Sequence, residues 1–365
     1  MVGADPFQRF LSTRYFASLD GLRCLSILVV VWHHATPRQL PGFAGRGHLG
    51  VHLFFAISGF LITTLLLRER RESGSIALGQ FYWRRTRRIF PLYYLVLSLH
   101  VLFAFGLSAG DPARAHFFDN LPFFVSYTTN WFVDWRVQHQ ILFAFAWSLA
   151  AEEQFYLFWP ALLKRLTGVW PALCAMVALL ALDQLAERRL LVVLLGSKTL
   201  LETVVTSFVP AIGLGAIFAL LLDHEATFKL LYRVLGRIWS APLALGGVLA
   251  LAAFSLGPFI VLCVALALLV AACAVRPDHG LRRVLELGPV RYVGVVSYGL
   301  YMFHVPVIGA VRAAWPELRE VTLAVFALAL PPALALAALS YRFFERPLRS
   351  FSWETRFVKQ SFQTN

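Results

Sequence analysis

A succession of apolar segments separated by short basic loops constrains this chain more than any other feature. Ten stretches read as membrane-spanning helices: 19–35, 50–67, 89–108, 141–163, 169–182, 200–222, 239–254, 258–275, 293–311 and 321–344. Inside hydrocarbon every backbone amide must find a partner within the protein, so such segments fold as helices. The expected fold is all-α, a polytopic integral membrane protein with about ten transmembrane helices. With 59% of residues hydrophobic and only 15% charged, the chain has no room for a large soluble domain. Ser255-Leu256-Gly257-Pro258 reads as the tight turn of a helical hairpin. The stretch 121–132 is aromatic but too short to cross, so it reads as interfacial or re-entrant.

The basic residues fix an expected orientation. Placing both termini in the cytoplasm puts 24 of the 33 Lys and Arg on that side, seven of them arginines between 68 and 88. This asymmetry favours N-in, C-in. It also accounts for most of the net charge of +13 through membrane anchoring, with no nucleic-acid partner. The four cysteines, Cys24, Cys174, Cys263 and Cys273, lie in apolar runs without CxxC spacing and read as packing residues, not as disulfides or metal ligands. Residues 1–17 lack the apolar core and cleavage site of a signal peptide, so the first span is expected to direct insertion.

Ionisable groups within spans are expensive and point to function. Arg23 and His34 are separated by eleven residues, about three turns and roughly 16 Å along one helix face. Ser58-Gly59 lies mid-span, where a small pair lets another backbone approach closely. His52, near the outer end of that span, is either an interfacial polar residue or part of an acceptor side. At the start of the third span, Arg85 and Arg88 are neighbours on one helix face. They suit either bidentate grip of a phosphorylated donor or binding of anionic headgroups. Glu152 and Glu153 open the fourth span about 100° apart around the axis, so at most one points squarely at a given partner. With no basic residue three or four positions away, a partner comes from another helix, His34 or an arginine being the candidates. His304 sits near the middle of the ninth span, either as a packing residue or in a site, and Pro306 is expected to kink the helix nearby. Arg342 and Glu345 can pair within one turn at the inner edge.

Six motifs occur in order: Leu19-Asp-Gly-Leu-Arg23 with His34 eleven residues on, Phe54-Phe-Ala-Ile-Ser-Gly-Phe-Leu-Ile62, Arg84-Arg-Thr-Arg-Arg-Ile-Phe-Pro91, Trp147-Ser-Leu-Ala-Ala-Glu152, Ser297-Tyr-Gly-Leu-Tyr-Met-Phe-His304 and Phe344-Glu-Arg-Pro347. Together they resemble the membrane-bound acyltransferase-3 family of bacteria, over about residues 13–349. The resemblance implies a ten-span acyltransferase of the bacterial inner (cytoplasmic) membrane. It would move an acetyl or other acyl group from cytoplasmic acyl-CoA to a hydroxyl of an extracytoplasmic glycan or lipid-linked glycan. It further implies a tail at 1–17, an acyltransferase domain at 18–349 and a tail at 350–365, as in acyltransferase-only members. Acetyl-CoA would be a donor substrate, with no permanently bound cofactor and no metal; membrane lipids are the other partners.

By position, the resemblance implies catalytic roles for His34, Glu152 and Arg23 and acyl-CoA contacts for Arg85, Arg88 and Ser58, with Ser58, Glu152 and His304 at further motif positions; His34 would act either as general base or as a transient acyl carrier. His33, His52 and His304 are the substrate-side candidates. Glu152 would orient the His34 imidazole or hold it charged. The rival reading is a carrier or flippase for an acidic or lipid-linked substrate, with the same residues lining its path. Neither an inverted repeat nor paired broken helices support it.

Overall fold

A computed structural model describes residues 5–36, 46–133, 141–188, 200–254 and 256–350. Residues 1–4, Ser255 of the hairpin turn and residues 351–365 of the expected C-terminal tail lie outside them. Among the described residues every regular element is helical. The principal helices are α1 (Ala17–Ala35), α2 (Leu49–Ser73), α3 (Leu78–Gly106), α4 (Ala146–Arg165), α5 (Val169–Glu187), α6 (Pro210–Asp223), α7 (Ser240–Phe254), α8 (Phe259–Val275), α9 (Ser297–Ala314) and α10 (Thr322–Ser340).

Each of the ten apolar segments is helical over most of its length, although 141–145 form turns ahead of α4, and the chain is a multi-pass membrane protein. Length and composition differ among them. Among the described residues, four helices are long and apolar enough to cross a membrane alone: α2, α3, α5 and Thr322–Leu348, which continues α10. The number reaches eight if each bent pair counts as one span. Four such pairs exist among the described residues, so broken helices are present where the sequence shows none: Pro6–Ser12 with α1 (66°), Leu200–Thr206 with α6 (60°), Glu225–Leu235 with α7 (76°) and Gly288–Val295 with α9 (73°). The segment 200–222 is thus broken ahead of Pro210, whose ring suits the first turn of α6. Helix α8 is apolar but has only 17 residues. Helix α4 is less hydropathic because Glu152, Glu153 and Gln154 sit within it. The segment 169–182 extends as α5 to Glu187.

Prolines lie inside α3, α4, α9 and α10 without ending them. The sharp turn near Pro306 falls instead at Val296, ahead of α9. At the far end of α10, Tyr341–Glu345 forms one π-helical turn, with Glu345 buried and 3.4 Å from Ser340 Oγ, while the Arg342 guanidinium lies over Phe343.

The most extensive helix contact is between α2 and α6. A Cβ on Gly59 would lie 1.9 Å from the Ile212 carbonyl oxygen, and one on Gly215 would lie 2.2 Å from that of Ala56. The two glycines let the backbones touch, which is the packing role expected of the Ser58-Gly59 pair. α7 and α8 form the expected hairpin, with Gly257 in the left-handed region at φ 72°. The stretch 121–132 folds as the end of helix Pro112–Val125 and the short helix Thr129–Phe132. It packs on α3: Tyr93 and Tyr94 hydroxyls donate to the Phe124 and Val125 carbonyls, and the Tyr127 ring stacks on Tyr93 at 4.3 Å. Gln154 of α4 fastens it from the other side through the Tyr127 carbonyl and a reciprocal amide pair with Asn130, each bond 2.9 Å. The four cysteines are free, Cys174 exposed and the others buried.

Candidate active site

A cavity of about 90 Å³ lies among α1, α2, α3, α4 and α9. Its wall gathers five of the expected residues from four helices: Arg23, Ser58, Arg85, Arg88 and Glu152. The arginine cluster at the start of α3 divides its work. Arg84 pairs with Glu69 at 3.4 Å, and Arg87 bonds the Leu348 carbonyl, its Nε at 2.9 Å. Arg85 and Arg88, three residues apart, turn inward to the cavity. Arg23 is steadied by Asp20 at 3.2 Å, and Asp20 also accepts from the Tyr15 hydroxyl.

Glu152 is held differently from the expectation. Its Oε1 accepts from Ser58 Oγ on α2 and from the hydroxyl of Tyr156, one turn along α4. The Arg85 guanidinium lies 3.7 Å from the centre of the Tyr156 ring, a cation–π geometry. Glu152 thus binds into a Ser58–Tyr156–Arg85 network, and the ring placed against His34 is that of His304, not this carboxylate. Beside the network, Glu153 Oε1 and Arg85 Nε are buried with no hydrogen-bond partner.

His34 occupies the last turn of α1. Its Nδ1 lies 3.0 Å from the Val30 carbonyl and 3.3 Å from Nε2 of His304. Nδ1 of His304 lies 2.6 Å from the Tyr301 carbonyl. Carbonyl oxygens only accept, so the network assigns a proton to Nδ1 of both rings. His304 Nε2 then accepts from His34, which leaves the lone pair on His34 Nε2 uncommitted to either contact. His304 is fully buried, so it meets His34 and not a cavity surface. Arg312 donates to the His34 and Ala35 carbonyls at 3.1 and 3.0 Å, closing the end of α1.

Tyr301 joins the two halves. It lines the cavity, its ring centroid is 5.3 Å from that of His304, and its hydroxyl bonds Ser148 at 2.6 Å. The other candidate histidines lie to one side. His33 is half-buried, 6.2 Å from His48 between ring centroids. His52 packs on Phe259 at 4.7 Å and lines a separate cavity.

Four contributors escaped the sequence reading. Tyr156 carried a signal, four residues from Glu152 on one helix face. Tyr298 and Tyr301 both lie within the Ser297–His304 motif, and both line the cavity. Arg312 is a lone cation in an apolar helix, which by itself marks a role.

A family model described as the acyltransferase domain matches residues 16–342, nearly the whole cavity-bearing bundle. The chain belongs to the acyltransferase-3 family. Among curated proteins, the peptidoglycan O-acetyltransferase OatA of Listeria monocytogenes is 28% identical over 367 residues, covering 93% of this chain and 56% of the relative. SAR0937 of Staphylococcus aureus, by inference an O-acetyltransferase, is 27% identical over 385 residues, covering 97% and 61%. YrhL of Bacillus subtilis, by inference a peptidoglycan O-acetyltransferase, is 27% identical over 363 residues, covering 92% and 55%. The chain therefore spans little more than half the length of these relatives. No solved structure matches.

Proposed function

We propose that this protein is a membrane O-acyltransferase that takes an acetyl group from acyl-CoA on the cytoplasmic side and passes it to a hydroxyl of an extracytoplasmic carbohydrate. The ten principal helices would span the bacterial inner membrane with both termini inside, as the basic loops favour. The observation that carries the reading is the pairing of an arginine-walled cavity with a histidine whose proton is already placed. Arg85, Arg88 and Arg23 suit the phosphates of the donor, because guanidinium forks match phosphate oxygens. The thioester would extend past Tyr301 toward His34.

His34 Nε2 then acts as general base. It takes the proton of the acceptor hydroxyl as the hydroxyl oxygen bonds to the thioester carbonyl carbon. The carbon–sulfur bond breaks, and the proton passes to the leaving sulfur, giving free CoA thiol and an ester. His304 Nε2, accepting from His34 Nδ1–H, holds the tautomer and stabilises the imidazolium that forms, as a third group does in catalytic triads. Glu152 is proposed to order the donor wall through Ser58, Tyr156 and Arg85, in place of the imidazole-orienting role expected from sequence. A positioned base contributes about 10²–10⁴-fold.

The test follows the fate of the acyl group. Purified protein in nanodiscs is given [14C]acetyl-CoA and a bacterial glycan extract, and free thiol and labelled products are measured. The proposal expects thiol release with alkali-labile label on the glycan, both lost in His34→Ala. Label retained on the wild-type protein but absent from His34→Ala would place the acyl group on the histidine itself. Intact acetyl-CoA after incubation, with other acyl-CoAs equally inert, would overturn the proposal in favour of a carrier.

A further inference from the structure

A second cavity, of about 590 Å³, opens at the end of the bundle away from the arginine cluster. His52, Asn130, Trp147, Asp183, Glu187 and Arg188 line it. Its size falls in the range of about 300–1,000 Å³ usual for small-molecule sites. We infer that this cavity is the subsite for the acyl acceptor and that it takes a neutral saccharide unit. The inference rests on the acyltransferase reading above and adds the place and chemistry of the second substrate.

Two helices contribute to both cavities through adjacent residues. On α2, His52 faces the second cavity, while Val51, Phe55 and Ser58 face the first. On α4, Trp147 faces the second and Ser148 the first. The partition is one layer of rings: Phe55 and Trp147 have centroids 6.1 Å apart, and Phe55 and His52 6.0 Å apart. The chemistry lies at the same end as the second cavity. His33 and His34 close α1 there, and His48, whose ring centroid is 6.2 Å from both His33 and His52, opens α2. The basic ends of α2 and α4, with Arg70, Arg71, Lys164 and Arg165, are at the opposite pole.

The two linings select opposite ligands. The first cavity has three arginines and suits phosphate. The second has the carboxylates of Asp183 and Glu187, one turn apart on α5, with Arg188 beside them among the described residues. Carboxylates accept hydrogen bonds from vicinal hydroxyls and repel phosphate. Trp147 and Phe259 supply flat apolar faces for the C–H side of a sugar ring. His52 Nδ1 is buried and lacks a hydrogen-bond partner, an unmet demand in this wall. Neutral hydroxyls, an apolar ring face and one free polar contact together describe a saccharide.

The test separates donor from acceptor. Thiol release from acetyl-CoA is measured against the concentration of N,N′-diacetylchitobiose, a neutral disaccharide, for wild type, Glu187→Gln, Asp183→Asn and Trp147→Ala in nanodiscs. The inference expects the KM for the disaccharide to rise tenfold or more in each variant, while acetyl-CoA affinity stays at the wild-type value. Asp183 is buried and its variant can misfold, so exposed Glu187 carries the decisive comparison. Wild-type turnover with an unchanged disaccharide KM in Glu187→Gln and Trp147→Ala overturns the subsite and leaves the acyltransferase reading standing. A wild type that neither binds acetyl-CoA nor releases thiol overturns both.

Discussion

Adding one methyl group at Gly59 and one at Gly246 is predicted to have opposite effects on stability. At Gly59 the new Cβ would sit 1.9 Å from the Ile212 carbonyl oxygen, where real Cβ contacts stay beyond 3.0 Å. Helices α2 and α6 must therefore part by about 1.1 Å, the difference between those two distances. A gap of 0.5–1 Å forfeits a quarter to a half of each contact's attraction, about 0.1–0.2 kcal/mol per atom pair at full depth. Over some tens of atom pairs along this seam the loss reaches about 2–3 kcal/mol, as for other overpacked interiors. At Gly246 on α7 nothing lies within 4 Å, so alanine only restricts the unfolded chain and gains about 0.5–1 kcal/mol. Thermal unfolding in nanodiscs, followed by tryptophan fluorescence, should show Gly59→Ala melting about 3–4 °C below wild type and Gly246→Ala about 1 °C above it. Because Ser58 is carried on the same turn, Gly59→Ala should also lose acetyl-CoA affinity. Equal melting temperatures for Gly59→Ala and wild type would refute the backbone-on-backbone packing of α2 and α6.

Arg85→Lys keeps the charge but loses the fork and the stacking on Tyr156, so the KM for acetyl-CoA should rise about tenfold, with kcat changed little, in a thiol-release assay. Tyr156→Phe keeps the ring beneath Arg85 and removes the donor to Glu152. Bonds to charged groups are worth about 1.5–3 kcal/mol, so titration calorimetry should show acetyl-CoA binding weakened at least tenfold. His304→Phe removes the acceptor for His34 Nδ1–H. The kcat should fall about 5- to 150-fold, corresponding to about 1–3 kcal/mol, while the KM for acetyl-CoA holds.

The helices were legible because hydrocarbon leaves the backbone no alternative, so a run such as Leu53–Leu67 reads directly as α2. Their breaks were less so. Composition does not distinguish a straight span from one bent 60° ahead of Pro210, since the same apolar residues serve both. Local spacing put Arg85 and Arg88 on one face, but it pairs Arg84 with Arg87 equally well, and only the fold shows that the first pair turns to the cavity. Contacts between distant helices carried no such trace. His34 and His304 are 270 positions apart, and only packing brings Nδ1 of one to Nε2 of the other. The same holds for Glu152, whose bond from Ser58 spans 94 positions and displaces the expected partnership with His34. Nor does any motif link His52 on α2 to Asp183 on α5, which meet only around the second cavity.

The central claim is that His34 carries out the transfer on a scaffold that folds without it. The measurement that tests it most directly is single-turnover thiol release from acetyl-CoA by His34→Gln, in nanodiscs with acceptor present, beside the Kd for acetyl-CoA. The account predicts a rate lowered by about 10²–10⁴-fold with the Kd unchanged, because the base is lost and the arginine wall is intact. A variant that binds acetyl-CoA as tightly as wild type and keeps more than about a tenth of its rate, below the smallest loss expected of a positioned base, would contradict it.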